Sequence, residues 1–334
     1  MGIRSRVGSA VAAAALAASS LALGTAVAPA AAQAPSAPAA TGAVTASEQV
    51  TDRLVRLEVH SPSMGRDVPV MVMLPAHDDG PHGVYYLLDG NSGQTESNNW
   101  LDPDRGDAAR FFADKDVYTV YPVGGTGTLY TDWQQEHPKF GTVKWETFLT
   151  QELPPVIDAR FDTNGKNAIG GISSGAEGAL MLAERNPGLY QAVAGYSGCY
   201  NTLEPLGKEI TDLVVINGNA NSELMWGPYG SPDWHAHDLF ANAAGLRGTT
   251  VYLSSGNGLP GPHEKPGVPQ LERRVVIGGL LEAGSNLCTN QLVPVLQNAG
   301  VHVVRSAQPV GEHDWPYWRD ELARSWPVIE ARLQ

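Results

Sequence analysis

A Gly-x-Ser-x-Gly pentapeptide, Gly171-Ile172-Ser173-Ser174-Gly175, follows a short apolar run (167–172) and precedes a helix-forming stretch, Ala176 to Glu184. Strand, tight turn and helix together are the context of a nucleophile elbow, in which the turn lifts a serine hydroxyl clear of a sheet edge. The glycines are needed because that turn strains the serine backbone and leaves no room for flanking β-carbons. In a chain with 37 glycines the bare pentapeptide could be an ordinary turn, and only its flanks argue for a reactive Ser173.

A serine hydroxyl is a weak nucleophile. It needs a base to take its proton and an acid to hold that base in the correct tautomer. On an elbow scaffold the chain order is serine, acid, histidine. His302 sits inside a strand pattern, whereas His313 lies in the Gly/Pro-flanked loop VGEHDWPYW (310–318), so His313 is the expected base. Glu264, Glu272 and Glu282 all precede it in the right window. Glu282 follows the apolar VVIGGLL and has a modest edge from position, since a buried carboxylate needs a partner; the residues alone leave the choice open. An oxyanion hole needs two backbone N–H donors. Ser174 supplies one, and the YLLDGN loop (86–91) would supply the other through Asn91.

Elements must bring these residues together. Segments 53–60 and 68–74 alternate apolar and polar residues around a turn-rich SPSMGRD, as an antiparallel pair would. Buried strands are predicted at 84–88 and 117–123, further strands at 191–195, 250–253 and 301–305, and helices at 104–113, 145–161, 269–296 and 317–333. The helix at 145–161 should kink at Pro154-Pro155, and that at 269–296 should break near Gly284. Strand–helix alternation of this kind predicts an α/β fold with a mostly parallel central sheet and helices on both faces. The strand-poor stretch at 200–248 reads as a cap insertion. Its Leu224, Met225, Trp226 and Trp234 would shelter an acyl chain or simply pack in the core.

The chain has 334 residues, 43% hydrophobic and 17% charged, enough for one large catalytic domain (49–334). Residues 1–32 carry Arg4 and Arg6, an Ala/Leu/Val run and Ala30-Ala31-Ala32, the pattern of a cleaved secretory signal peptide. A flexible Ala/Pro/Ser segment is expected over 33–48. Export would leave an acidic protein in the cell envelope or outside, with no membrane span and no affinity for nucleic acid; the net charge is −13 before cleavage. Cys199 and Cys288 are the only two cysteines, and an oxidising compartment would pair them. No metal or cofactor is expected, because His235-Ala236-His237-Asp238 is too short a pattern for a metal site. A monomer is expected.

These residues resemble the antigen 85 family of secreted mycolyltransferases. The resemblance rests on SPSMGRDVPV (61–70), YLLDG (86–90), YPVGG (121–125), Tyr130, Asp132-Trp133 and KWETFLTQELP (144–154). The elbow, MWGP (225–228), SGNG (255–258) and HDWPYW (313–318) extend it over nearly all of the expected mature domain. It implies an α/β-hydrolase fold with a Ser–Glu–His triad falling on Ser173, Glu282 and His313, and so selects Glu282. Oxyanion donors fall on Asn91 and Ser174, and substrate contacts on Asp89 and Trp315. The implied reaction moves a mycolyl group from trehalose monomycolate, through a serine acyl-enzyme, to a sugar hydroxyl of trehalose or arabinogalactan. Ser92 stands where the family has an arginine that contacts trehalose, Gly175 replaces a small non-glycine residue, and the cysteine pair differs. A secreted esterase, with water as acceptor, is the alternative; a non-catalytic cell-wall or matrix-binding protein on the same scaffold is the second.

Overall fold

The computed structural model describes residues 40–77 and 79–334. The expected signal segment lies outside them. β2 (Leu54–Ser61) and β3 (Arg66–Met73) pair antiparallel, as their alternation predicts. β1 (Ala43–Thr51) then pairs antiparallel with β2, which corrects the expectation of a flexible segment as far as residue 48. Every side chain of β1 is exposed, so no apolar periodicity marked it.

The sheet runs β1-β2-β3-β5-β4-β6-β7-β8-β9, with β4 at His82–Leu88, β5 at Tyr118–Pro122, β6 at Thr163–Ile172, β7 at Ala192–Tyr196, β8 at Thr250–Ser255 and β9 at His302–Ala307. From β5 to β9 every pairing is parallel. Parallel strands need crossovers, and the crossovers bury both faces. On β4, Val84, Tyr86 and Leu88 enter one apolar cluster while Tyr85 and Leu87 enter the other. The first cluster is covered by α1 (Ser174–Arg185) and the C-terminal half of α3 (Gly279–Asn298). The second is covered by α4 (Trp315–Leu333), through Trp318, Leu322, Trp326 and Ile329.

Proline and glycine act differently from expectation in two helices. Pro154 and Pro155 sit in the first turn of Leu153–Arg160, where a missing N–H costs nothing, and the irregularity is a π turn just before them, Phe148–Glu152. Gly284 lies inside an unbroken α3; the interruption is another π turn upstream, Arg274–Gly278. Of 104–113 only Ala108–Phe111 is α-helical.

The 200–248 insertion holds α2 (Pro205–Asn217) and short helices at Ser222–Trp226, Pro232–Ala236 and Leu239–Asn242. Met225, Trp226 and Trp234 are fully buried, with the two indoles edge to face at 5.2 Å. The Trp226 indole N–H donates to Thr131 Oγ1 at 3.2 Å. Of the two expected roles, these three side chains take core packing, while Leu224 is only partly buried. An apolar aromatic run reads the same whether it faces a ligand or a core.

Candidate active site

Ser173 occupies the single residue between β6 and α1. Its backbone is strained, at φ 52° and ψ −123°, and its N–H donates to the Tyr196 carbonyl at 2.9 Å. A β-carbon at position 171 would stand 2.3 Å from the Gly175 carbonyl oxygen, and one at position 175 would stand 2.2 Å from that of Asp89. Both glycines are therefore dictated by close backbone approach.

His313 arrives on the loop between β9 and α4. Its Nε2 lies 2.9 Å from Ser173 Oγ and its Nδ1 lies 3.0 Å from Glu282 Oε2. Glu282 is in the first turn of α3 and is 2% exposed. Its other oxygen accepts the Ser197 hydroxyl at 2.9 Å and the Gly256 N–H at 2.6 Å, so the buried carboxylate is fully partnered. Ser173, His313 and Glu282 thus form one continuous hydrogen-bonded chain. His302 opens β9, at the opposite end of the parallel sheet from Ser173. Glu272 is exposed, and Glu264 is engaged by Arg274.

Three residues of this cluster were assigned no role from the sequence. Ser197 sits just past β7 with φ 57°, and Gly256 just past β8. Trp318 donates its indole N–H to Ser197 Oγ at 3.1 Å and packs edge-on against the His313 ring at 5.0 Å. Their contribution depends on strand ends meeting in space. The SGNG and HDWPYW stretches contain Gly256 and Trp318, but nothing in them marks those contacts.

The 89–99 loop follows β4 beside the elbow. Neither the Asn91 nor the Ser174 backbone N–H meets a protein acceptor among the described residues. Asp89 is 2% exposed, and its carboxylate accepts the Gly90 N–H at 2.9 Å, the Asn99 N–H at 2.9 Å and the Asn99 side-chain amide at 3.1 Å. Burial pushes its pKa up, partly offset by those hydrogen bonds. Those hydrogen bonds hold the Asp89 carboxylate within its own loop. Trp315 opens α4. It is buried, edge to face with Trp100 at 5.3 Å and Trp318 at 5.2 Å, in the core beneath α4. Cys199 and Cys288 form the expected disulfide, linking the segment after β7 to α3.

Residues 61–328 match the family described as "Putative esterase". A diacylglycerol acyltransferase/mycolyltransferase Ag85C of Mycobacterium leprae is 31% identical over 286 residues, covering 83% of this chain and 81% of the relative. The chain belongs to the antigen 85 family. An Ag85B of Mycolicibacterium smegmatis is likewise 31% identical, over 83% of this chain and 84% of its own length. The crystal structure of Mycobacterium tuberculosis MPT51 (FbpC1) superposes with a TM-score of 0.69 at 27% identity, covering 83% of this chain and 98% of that one. An S-formylglutathione hydrolase from Agrobacterium tumefaciens shares the fold, with a TM-score of 0.61 at 14% identity. The fold is that of the α/β-hydrolases. Among the described residues no helix is long and apolar enough to cross a membrane.

Proposed function

We propose that this antigen 85 family member is a serine acyltransferase that moves a long-chain acyl group, of the mycolyl class, from a glycolipid to a hydroxyl acceptor outside the cytoplasm. The observation that carries the proposal is the hydrogen-bonded chain from Ser173 through His313 to Glu282, with the serine in a strained turn. In this reading His313 Nε2 takes the Ser173 proton as Oγ attacks the ester carbonyl. The N–H groups of Asn91 and Ser174 hold the developing oxyanion, and His313 returns the proton to the departing alcohol. The acyl-enzyme then passes to a second hydroxyl by the reverse steps. Exposed Val276, Ile277, Leu280 and Leu281, on the turn that leads into Glu282, give an acyl substrate an apolar approach. The names of the 30–31% identical relatives support the mycolyl class.

One observation favours a second reading, an esterase with water as acceptor. The Asp89 carboxylate is hydrogen-bonded within its own loop, and Ser92 is uncharged where the family resemblance implies an arginine, which weakens the expected grip on trehalose. An acyl-transfer assay over trehalose, an arabinan and a protein hydroxyl tests the two. Transfer to any sugar above the hydrolysis rate supports the first reading; free acid as the sole product at saturating acceptor supports the second. Ser173→Ala should cost at least about 10⁴-fold in turnover under either. Full activity in that variant would dispose of both.

A further inference from the structure

Glu312, the residue before His313, is fully buried, and neither of its carboxyl oxygens meets a hydrogen-bond partner among the described residues. A charge in that position would carry an uncompensated desolvation cost. Burial first, and then the neighbouring Glu264 carboxylate, push the Glu312 pKa up to about 7. At mildly acidic pH the group is the neutral acid.

The charges around Glu312 come from three elements. Glu264, on the loop before the Arg274–Gly278 π turn, accepts Arg274 Nη2 and the Gly261 N–H, each at 2.9 Å, and the Tyr317 hydroxyl. Those contacts outweigh its burial and keep it below the usual carboxylate range. Arg274, on the π turn, also sets Nε 2.8 Å from Asp314 Oδ2. Tyr317 comes from α4, and beyond its ring His263 pairs with Asp320 at 2.9 Å. Arg274 is the one cation among the groups whose charges act on Glu312, and two carboxylates already share it.

The π turn therefore grips the His313 loop on both sides of the imidazole's own contacts. The His313 N–H donates to the Gly278 carbonyl at 3.2 Å, and Asp314 is paired to Arg274. We propose that Arg274 is a positioning residue holding the His313 loop in register with Ser173, and that Glu312 is its titrating competitor. As a neutral acid Glu312 leaves Arg274 to Asp314 and Glu264. As a carboxylate it has no other cation to turn to among the described residues, and it draws Arg274 and the loop out of register. A base works only within hydrogen-bond reach of its proton, so a shift of well under 1 Å is enough to slow the reaction. This rests on reading Ser173, His313 and Glu282 as the catalytic chain.

The test is kcat and KM for a p-nitrophenyl acyl ester from about pH 5 to about pH 9. In the native protein kcat should fall as pH rises through about 7. Glu312→Gln, equal in size and unable to ionise, should keep the acid-side rate and lose that fall. Arg274→Gln should lower kcat about tenfold at every pH with KM within about twofold, the mark of a displaced base. A Glu312→Gln profile that superimposes on the native one overturns the proposal, as does native kcat in Arg274→Gln. Should Glu312→Gln not fold, Arg274→Lys carries the test: it keeps the charge but loses the two-pronged grip. It should lower kcat with the alkaline fall retained, and native kinetics would overturn the proposal. Failure of the catalytic reading would look different, as turnover surviving Ser173→Ala in the same assay.

Discussion

At the residue scale, Gly175 and Ser197 hold the reacting groups in place without taking part in the chemistry. A β-carbon at position 175 would push on the Asp89 carbonyl, which also accepts the Tyr130 hydroxyl at 3.1 Å, two residues before the Asn91 N–H. Relief of such a clash costs about 1–3 kcal/mol of stability. A misplaced oxyanion donor costs about 3–4 kcal/mol in the transition state. Gly175→Ala should therefore lower kcat on the order of 100-fold while the protein still folds, as parallel kinetics and thermal melts would record. An unaffected kcat would remove Asn91 from the oxyanion role. Ser197→Ala strips one of three donors from Glu282, and a hydrogen bond to a charged group contributes about 1.5–3 kcal/mol. A kcat reduction of about 10-fold or more is expected, with KM nearly unchanged.

At the element scale, the disulfide joins two pieces that must stay aligned. Cys199 lies two residues past Ser197, and Cys288 lies on the helix that carries Glu282, where Ser285 Oγ also donates to the Ser197 carbonyl at 3.0 Å. With a sequence separation of 89, the chain-entropy view gives the bridge about 4–5 kcal/mol. Cys199→Ser with Cys288→Ser should lower the unfolding free energy read from urea melts by that much, with a lower midpoint, and also reduce kcat, because the link between α3 and the Ser197 turn is loosened. Equal midpoints for the double variant and native protein would discount the bridge. Elements also decide what the sequence could reveal. β4, β5 and the buried second half of β6 are short apolar runs and were legible from that alone, and the elbow from its glycines. His313 was legible by chain order, but Glu282 needed the family resemblance because three carboxylates fitted the same window. β1 was missed since pairing without burial leaves no apolar pattern. For Trp226 and Trp234 the ligand-facing and core readings both stayed open, because an aromatic side chain carries no mark of which surface will cover it. The hydrogen bonds from Asn99 to Asp89 were not legible either, because they depend on how the 89–99 loop closes.

At the scale of the whole molecule, buried carboxyl groups set how stability varies with pH. Glu184 and Glu312 are both raised to about 7, chiefly by burial, from an ordinary value of 4.5. Burial raises Glu177 as well, well above that value. A folded-state pKa above the unfolded one means the native state binds more protons between the two values, so stability falls as pH rises across that window. Glu146 and Glu264 act in the opposite sense. Their burial is outweighed, by His237 and Arg185 for the first and by Tyr317, Gly261 and Arg274 for the second, so their folded pKa is depressed. Their contribution is present above the unfolded value and lost as pH drops through the depressed one. The two sets leave a stability maximum in mildly acidic solution, above about 4.5 and below about 7. Growing self-repulsion in a chain of net charge −13 steepens the alkaline side. Glu184 is placed to show the effect cleanly: its Oε2 is buried without a hydrogen-bond partner, and it lies on α1 outside the His313 loop. With a discount for solvent screening, its share is on the order of 1–2 kcal/mol, or a few degrees in Tm. Glu184→Gln should accordingly raise Tm at about pH 8 by a few degrees and leave it nearly unchanged at about pH 5, flattening the curve. A uniform shift at both pH values would assign the effect to packing and not to the proton.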